Sequence, residues 1–167
     1  VLRNGITQNV DVSVSGGGKN SKYYTSLSYT GQEGTLIGTD FKRISGKISL
    51  DNDIAKWFRL YANLNYGDTK NNLTNGIYGQ ALTAPPVFAP FNEDGSYAAL
   101  GDLSSDYRGY QNPLAVAQGT NLAKDYLLKG SLAAEITFLR DFKFKSTVSV
   151  CYDAYYQLNY VPSFVEV

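Results

Sequence analysis

The sequence predicts an all-β fold, an antiparallel up-and-down meander of about six strands. Apolar and polar residues alternate with period 2 in several stretches, whereas no helical stripe runs longer than about two turns. Short and long connections also follow one another strictly, as expected when successive hairpins share one wall. The expected strands cover about 8–16, 22–31, 41–52, 57–70, 124–138 and 142–156.

The first four strands rest on their side-chain patterns. The segment 9–15 alternates three valines with Asn, Asp and Ser, and the segment 23–30 places Tyr and Leu opposite mainly Ser and Thr. The segments 41–50 and 58–66 place Phe, Ile, Leu and Tyr opposite Arg, Lys, Ser and Asn. Each pattern is typical of a strand with one apolar and one polar face.

The last two strands, 128–138 and 142–153, are joined by the three-residue turn Leu139–Asp141. Residues that are directly opposite in an antiparallel pair face the same side of the sheet. The apolar residues of both strands have even numbers, so they can share a face only if the residue numbers of each pair add up to an even number. This rule predicts Glu135 opposite Lys145 on the polar face and Phe138 beside Phe142 on the apolar face. Applied to the third hairpin, it predicts these pairs: Leu50 with Phe58, Ile48 with Leu60 and Ile44 with Leu64.

The connections differ in length and composition. Gly16–Gly18 and Lys19 lack the spacing of a phosphate-binding loop, and predict a hairpin turn. The stretch 71–123 shows little alternation, and is expected to be one long extracellular loop. Its aromatic and polar residues are typical of surfaces that contact sugars or peptides. The candidate substrate contacts are Tyr78, Phe91, Asp94, Tyr97, Tyr107, Arg108, Tyr110 and Asn112.

Composition excludes several function classes. The chain has no His and one Cys, Cys151, which argues against Ser-His-Asp or Cys-His catalysis and against a His/Cys zinc site. Fifteen basic residues balance fifteen acidic ones, so no global field favours nucleic acid. Met is absent and position 1 is Val1, which predicts a piece of a longer protein. We therefore expect no enzymatic activity, no cofactor and no bound metal.

Alternation alone does not decide what covers the apolar face, because the strands of a lipid-facing barrel and of a soluble β-sandwich show the same alternation. Aromatic residues cluster beside the short turns, as in the girdle of a membrane barrel. The polar face carries many charges, and the strand lengths match the 9–11 tilted residues that cross a bilayer. These features favour the barrel. A soluble carbohydrate-binding β-sandwich remains the alternative.

Several longer stretches carry a resemblance to a known family, and they are 7–17, 22–24, 26–29, 32–43, 63–66, 84–86, 92–97 and 112–115. Together they resemble the SusC/RagA family of TonB-dependent outer-membrane transporters. The resemblance runs through most of the chain, which makes it more specific than any single motif.

The resemblance implies that this chain is an early wall segment of a barrel of about 22 strands, because about six strands are too few to close one. The family's plug domain and TonB box are not in these residues. It further implies nutrient uptake across the outer membrane of Bacteroidetes-type bacteria. The implied partners are a SusD-like lipoprotein, TonB acting through other parts of the parent chain, outer-membrane lipid, and an oligosaccharide or peptide substrate.

Overall fold

The computed structural model of the chain describes residues 1–74 and 76–165, and its central feature is one antiparallel sheet of six strands. Each strand pairs with its neighbours in sequence, in the order β1-β2-β3-β4-β5-β6, which confirms the predicted meander. The strands are β1 (Thr7–Gly17), β2 (Ser21–Glu33), β3 (Asp40–Ala55), β4 (Phe58–Asn72), β5 (Thr120–Phe138) and β6 (Phe142–Tyr160). Two short helices, α1 (Ile77–Thr83) and α2 (Pro113–Val116), lie between β4 and β5.

The two faces of the sheet differ as the alternation requires. One cross-strand row joins Val12, Leu27, Gly46, Tyr66 and Leu128, because partners in antiparallel pairs share a face. Within the described residues this apolar face has no covering layer. Mid-strand side chains on this face are more than half exposed, among them Leu132 at 51%, Val148 at 65% and Val150 at 66%. The described residues therefore form one open sheet rather than a sandwich.

The β5–β6 hairpin has the predicted register. Glu135 is the partner of Lys145, and Phe138 is the partner of Phe142, with the two rings stacked at 5.7 Å between centroids. The ion pair of Glu135, however, is with Lys143, whose Nζ lies 3.8 Å from Oε1. Lys145 instead places its ammonium group 4.7 Å from the centroid of the Tyr61 ring on β4. The backbone register was predictable, whereas the choice between two nearby lysines was not.

The predicted register of the third hairpin is wrong. Leu50 pairs with Ala62, Ile48 with Leu64 and Ile44 with Asp68. The turn consists only of residues 56–57, because Ala55 already pairs with Phe58 and the register shifts between Asp53 and Ala55. The shift is a β-bulge, which adds one unpaired residue to one strand. Beyond the bulge the residue numbers of each pair again add up to an even number, so the two faces of the strands are as predicted.

The predicted limits of the later strands and of the loop need correction. Strand β5 begins at Thr120 rather than 124, and β6 continues to Tyr160 rather than 156. The ends of β4 and β5 pair through Asn72 and Leu122, which extends the sheet into the predicted loop. The remaining connection, 73–119, contains helical segments and is not devoid of structure.

The turn between β5 and β6 contains two non-glycine residues with positive φ, Leu139 at 49° and Arg140 at 66°. This conformation costs roughly 1–2 kcal/mol for each side chain with a Cβ. We expect Arg140→Gly to raise the free energy of unfolding of the intact parent protein by about 1 kcal/mol, measured by denaturant titration in detergent. Arg140→Ala removes the same charge but keeps the Cβ, and is the matched control. An equal gain in both variants would contradict the backbone explanation.

Candidate functional site

The connection 73–119 forms a small folded unit at the long-loop end of the sheet. Its centre is a cluster of buried apolar residues from three separate parts of the chain. The unit is attached to the sheet by a hydrogen bond from the Leu73 amide to the Asn121 carbonyl, 2.7 Å long. The buried members are Ile77, Ala115, Val116 and Val165, and the packed neighbours are Val1, Leu36, Ile37, Tyr97 and Ala117.

Asn112 holds this unit together. Its side-chain amide donates to the Pro90 and Ala98 carbonyl oxygens at 2.8 and 2.9 Å, and its Oδ1 accepts from the Leu114 amide at 3.0 Å. The last bond caps the N-terminus of α2, where Pro113 follows in the first turn. Only 6% of Asn112 is exposed. The residue was predicted as a substrate contact, but its polar atoms are engaged inside the loop.

Asp94 also has an internal role, in a tight turn from Phe91 to Tyr97. Its Oδ1 accepts from the Ser96 hydroxyl at 2.6 Å and from the Ser96 amide at 2.9 Å. These two hydrogen bonds lower the pKa of the Asp94 carboxyl. Gly95 has φ of 82°, a value that suits glycine. The stretch therefore forms the kind of turn in which an Asp side chain bonds the backbone two residues on.

The predicted aromatic candidates form two groups. Phe91 packs on Tyr97 at 5.4 Å between ring centroids, and Tyr97 stacks on Phe164 at 5.3 Å. Tyr107 and Tyr110 meet edge to face at 6.3 Å. Sequence reasoning missed Phe164, because it follows β6 and reaches the loop only through the tertiary fold. The two groups make partly exposed aromatic surfaces.

Two candidates remain outside these groups. Tyr78 lies on α1 and is 55% exposed, and Arg108 is an exposed residue that follows a short 3-10 turn. Among the eight predicted residues, Tyr78, Phe91, Asp94, Arg108 and Tyr110 are exposed, and of these Asp94 stabilises the loop, as does the buried Asn112.

The hollows of the described residues are shallow near these candidates. A hollow of about 40 Å³ lies between Tyr97, Tyr110, Asn112 and Phe164. It is far smaller than the roughly 300 Å³ at which small-molecule pockets begin. A larger hollow, about 570 Å³, lies at the opposite end of the sheet beside Trp57. The loop therefore offers an open contact surface rather than a closed pocket.

The polar face near the short turns carries a network of charges centred on Arg59. Its guanidinium binds both carboxylate oxygens of Asp51 at 2.8 Å and contacts Asp53 at 3.1 Å. It also lies 5.1 Å from the centroid of the Tyr61 ring, whose environment includes Lys145. Bidentate pairs of this kind fix side-chain geometry. This face is built for contact with water or with polar groups.

Two further chemical features are not found among the residues that the structure describes. Neither helix has the length and hydropathy needed to cross a membrane. No group of three His, Cys, Asp or Glu side chains is arranged to hold a metal ion.

The sequence comparisons show that the chain is similar to one part of much longer receptors. No protein-family model matches it. It is 30% identical over 148 residues to TonB-dependent receptor P26 of Formosa agariphila, covering 87% of this chain and 14% of that receptor. It is 28% identical over 159 residues to TonB-dependent receptor P3 of the same organism, covering 88% and 16%. The chain thus spans about one seventh of the length of these relatives.

The fold is similar to part of a solved importer. Structures of the RagAB peptide importer in its closed-closed and open-open states each match with a TM-score of 0.67 and 24% identity. Each match covers 89% of this chain and 18% of the other. The six-stranded meander is therefore the fold of one segment of a much larger chain.

The role of Asn112 leads to a prediction about loop stability. Asn112→Asp keeps the oxygen that caps α2 but loses the amide donors to Pro90 and Ala98. The Pro90 carbonyl keeps its bond from the Ala98 amide, whereas the Ala98 carbonyl loses its donor and both oxygens then face a carboxylate. We expect faster proteolysis and hydrogen exchange in 85–116 of the intact parent, equivalent to about 2 kcal/mol of lost local stability. Asn92→Ala, which removes an exposed hydrogen bond to Ser96 in the same loop, should have a much smaller effect. Equal protection of the loop from proteolysis and hydrogen exchange in both variants would contradict the role of Asn112.

Proposed function

Because the chain is related in sequence to TonB-dependent receptors and shares the fold of a SusC/RagA-type barrel segment, we propose that it forms part of the wall of a TonB-dependent outer-membrane transporter. In this proposal the parent protein imports a nutrient and the segment separates lipid from the transport path. The names of the relatives are those of receptors and an importer rather than enzymes.

The uncovered apolar face is the observation that carries the proposal. Exposing many aliphatic side chains to water is costly, at about 25 cal/mol for each Å². The cost disappears if lipid covers the face, as in a transmembrane barrel. On this view Val12, Leu27, Leu60, Leu64, Leu132, Val148 and Val150 face the bilayer. The opposite face, which carries the Arg59 network, faces the polar interior.

The proposal also assigns the two ends of the sheet to opposite sides of the outer membrane. Residues 56–57 and 139–141 form short turns at one end, and the folded connection 73–119 lies at the other. Bacterial outer-membrane barrels have short periplasmic turns and longer extracellular loops. We therefore place 73–119 at the cell surface. A SusD-like lipoprotein would contact this end, and TonB would act through parts of the parent chain outside this segment.

The substrate would be an oligosaccharide or a peptide. The accessible aromatic rings Tyr78 and Tyr110 can pack against sugar faces or apolar side chains, and Arg108 can bind a carboxylate. The RagAB structures are those of a peptide importer, which supports a peptide as one of the two substrate classes. The internal hydrogen bonds of Asn112 and Asp94 make these two residues supports of the surface rather than direct contacts.

The lipid-facing assignment is tested by introducing arginine on either face of β5. Leu132→Arg would place a charge in the bilayer and cost about 2–4 kcal/mol at its midplane, so we expect loss of assembled barrel. Ser131→Arg points to the other face and should be tolerated. The measurement is the amount of heat-modifiable, protease-resistant parent protein in the outer-membrane fraction. Equal tolerance of both variants would argue against a lipid-exposed face.

Energised transport is tested separately on the assembled parent. Uptake of a labelled substrate should stop when TonB is deleted, while the amount of assembled barrel stays the same. Continued uptake without TonB would refute the energised mechanism and leave the barrel assignment intact.

The substrate surface gives its own prediction. Tyr78→Ala and Tyr110→Ala each remove an exposed ring, and we expect each to raise the half-saturating substrate concentration about two- to tenfold. Leu103→Ala, another exposed side chain of the same loop, is the control. Labelled oligosaccharides and peptides would be assayed in parallel to identify the class. Unchanged uptake of both classes in both tyrosine variants would exclude these rings as contacts.

A further inference from the structure

The polar face of the sheet carries a hollow in its half nearer the long connection. The hollow has a volume of about 240 Å³, and its lining includes three serines and two cations but no carboxylate. The cations are Arg43 and Lys47 on β3, with Ser45 between them on the same face. Pockets for whole small molecules begin at roughly 300 Å³, so this hollow has the size for one end of a longer ligand.

A glycine lies at the base of this hollow. Gly67 on β4 is buried and is the partner of Ser45 on one side and of Leu127 on the other. A Cβ at this position would lie 3.9 Å from the Leu127 Cβ and 4.0 Å from Arg43 Nη2, which are ordinary contact distances. Glycine inside a strand often marks a place where a ligand or another backbone approaches closely. A larger side chain here would fill the hollow.

The two cations of the hollow are not neutralised by an ion pair. Neither Arg43 nor Lys47 has a carboxylate oxygen within 4.0 Å among residues 1–74 and 76–165. Lys47 lies over the Tyr24 ring, 6.0 Å from its centroid. Asp11, the acidic residue of β1 on this face, accepts a hydrogen bond from the Ser28 hydroxyl. A carboxylate in the hollow would therefore meet two cations and the serine hydroxyls.

Two carboxyl groups lie beside the hollow on the next strands. Asp125 on β5 is in one cross-strand row with Thr69 and Arg43, and Asp153 on β6 is one diagonal step from Asp125. The two carboxyl groups are in hydrogen-bonding contact with each other. Carboxylates this close repel when both are ionised, and a cation between them relieves the repulsion. Lys129 lies on the other diagonal of Asp153, and the described residues show no ion pair within 4.0 Å between these two.

The positive and negative groups are thus separated across the wall. The two cations are on β3, whereas the carboxyl pair begins on β5, two strands away. Neighbouring strands lie about 4.8 Å apart, so the backbones of Arg43 and Asp125 are roughly 10 Å apart. An extended peptide advances about 3.3 Å per residue, so about three residues match this separation. A neutral oligosaccharide has no charges that could use both groups.

The hollow lies near the outer mouth of the proposed barrel. At the same level the apolar face carries several tyrosines, and tyrosine is enriched where lipid tails meet headgroups. These tyrosines belong to the two cross-strand rows on either side of Gly67, and they are Tyr29, Tyr66, Tyr126 and Tyr152. A substrate that enters from the cell surface would reach this level before it reaches the short turns.

We propose that this part of the inner wall binds short peptides by both of their charged ends. The terminal carboxylate enters the hollow, where Arg43 and Lys47 bind its oxygens, and the terminal ammonium group binds between Asp125 and Asp153. The inference rests on the proposed function, which turns the polar face toward the transport path. It names peptides rather than oligosaccharides as the substrate class.

The test measures the binding of tri-alanine to the intact parent transporter in detergent at low salt, by titration calorimetry. The side chains of this peptide are uncharged, so its two termini carry its only charges. Amidation of the carboxyl end or acetylation of the amino end removes one charge, and we expect either to raise the dissociation constant on the order of tenfold. Maltotriose, a neutral trisaccharide, is the probe for the other substrate class and should bind more weakly than tri-alanine.

Two double variants assign each end of the peptide. R43Q/K47Q should bind tri-alanine on the order of tenfold more weakly, but should bind the amidated peptide as the unmodified protein does. D125N/D153N should show the same pattern with the acetylated peptide. The control K22Q/K145Q removes two cations of the same face near the short turns and should leave the affinity unchanged.

Gly67→Leu tests the hollow without changing a charge. The added side chain would occupy the space that the terminal residue of the peptide needs. We expect this variant to weaken the binding of tri-alanine as strongly as R43Q/K47Q does, while the amount of assembled barrel stays the same. Unchanged binding in Gly67→Leu would exclude the hollow as the site.

Three other results would overturn the inference. The first is equal affinity for the free, amidated and acetylated peptides. The second is equal weakening in K22Q/K145Q, because the effect would then come from the general charge of the face. The third is tighter binding of maltotriose than of tri-alanine, because the site would then select oligosaccharides.

Outer-membrane assembly and TonB-dependent uptake of the unmodified parent distinguish the two proposals. If the parent assembles and imports a labelled substrate but does not bind tri-alanine, the peptide site fails and the proposed function stands. If the parent is absent from the outer-membrane fraction, the proposed function fails and the inference fails with it.

Discussion

The structure depends on the need to cover one apolar face of a single sheet. Alternation directs Val, Leu and Ile to one side along all six strands, and no other element in the described residues packs against them. The few fully buried apolar side chains are mostly in the loop unit. Stability must therefore come from what surrounds the sheet. In the proposed barrel wall, lipid on the apolar face and neighbouring strands at the edges of β1 and β6 would meet this need together.

The sequence predicts the faces of the sheet better than its register. Period-2 alternation is a local property, and it identified the apolar side of every strand. Register depends on how many residues the turn removes from pairing, and the bulge between Asp53 and Ala55 is not visible in the alternation. The β5–β6 hairpin was predictable because Phe138 and Phe142 face each other across a turn without a bulge. The prediction of the third hairpin failed only in register.

The substrate contacts in the long loop stay a prediction, and the internal roles of two of the candidate residues were not predicted. Aromatic density points to the connection 73–119, yet Asn112 and Asp94 stabilise the backbone there. An Asn before Pro113 is a recognisable helix cap, and Asp94 before a Gly-Ser step is a recognisable turn, so these signals were present in the sequence. Phe164 is different, because its contact with Tyr97 joins distant parts of the chain. No local pattern encodes such a contact.

The long connection between β4 and β5 has a consequence for the order of folding. Strands β1 to β4 can pair one after another across connections of at most six residues, and β5 can pair with β6 across 139–141. Joining β4 to β5 requires closure of 73–119, which costs roughly 2 kcal/mol more entropy than closing a three-residue turn. The cluster around Asn112 shortens the effective loop if it forms first. We expect the pairing of β4 with β5 to follow the formation of the two halves, and a preformed loop to make that pairing faster.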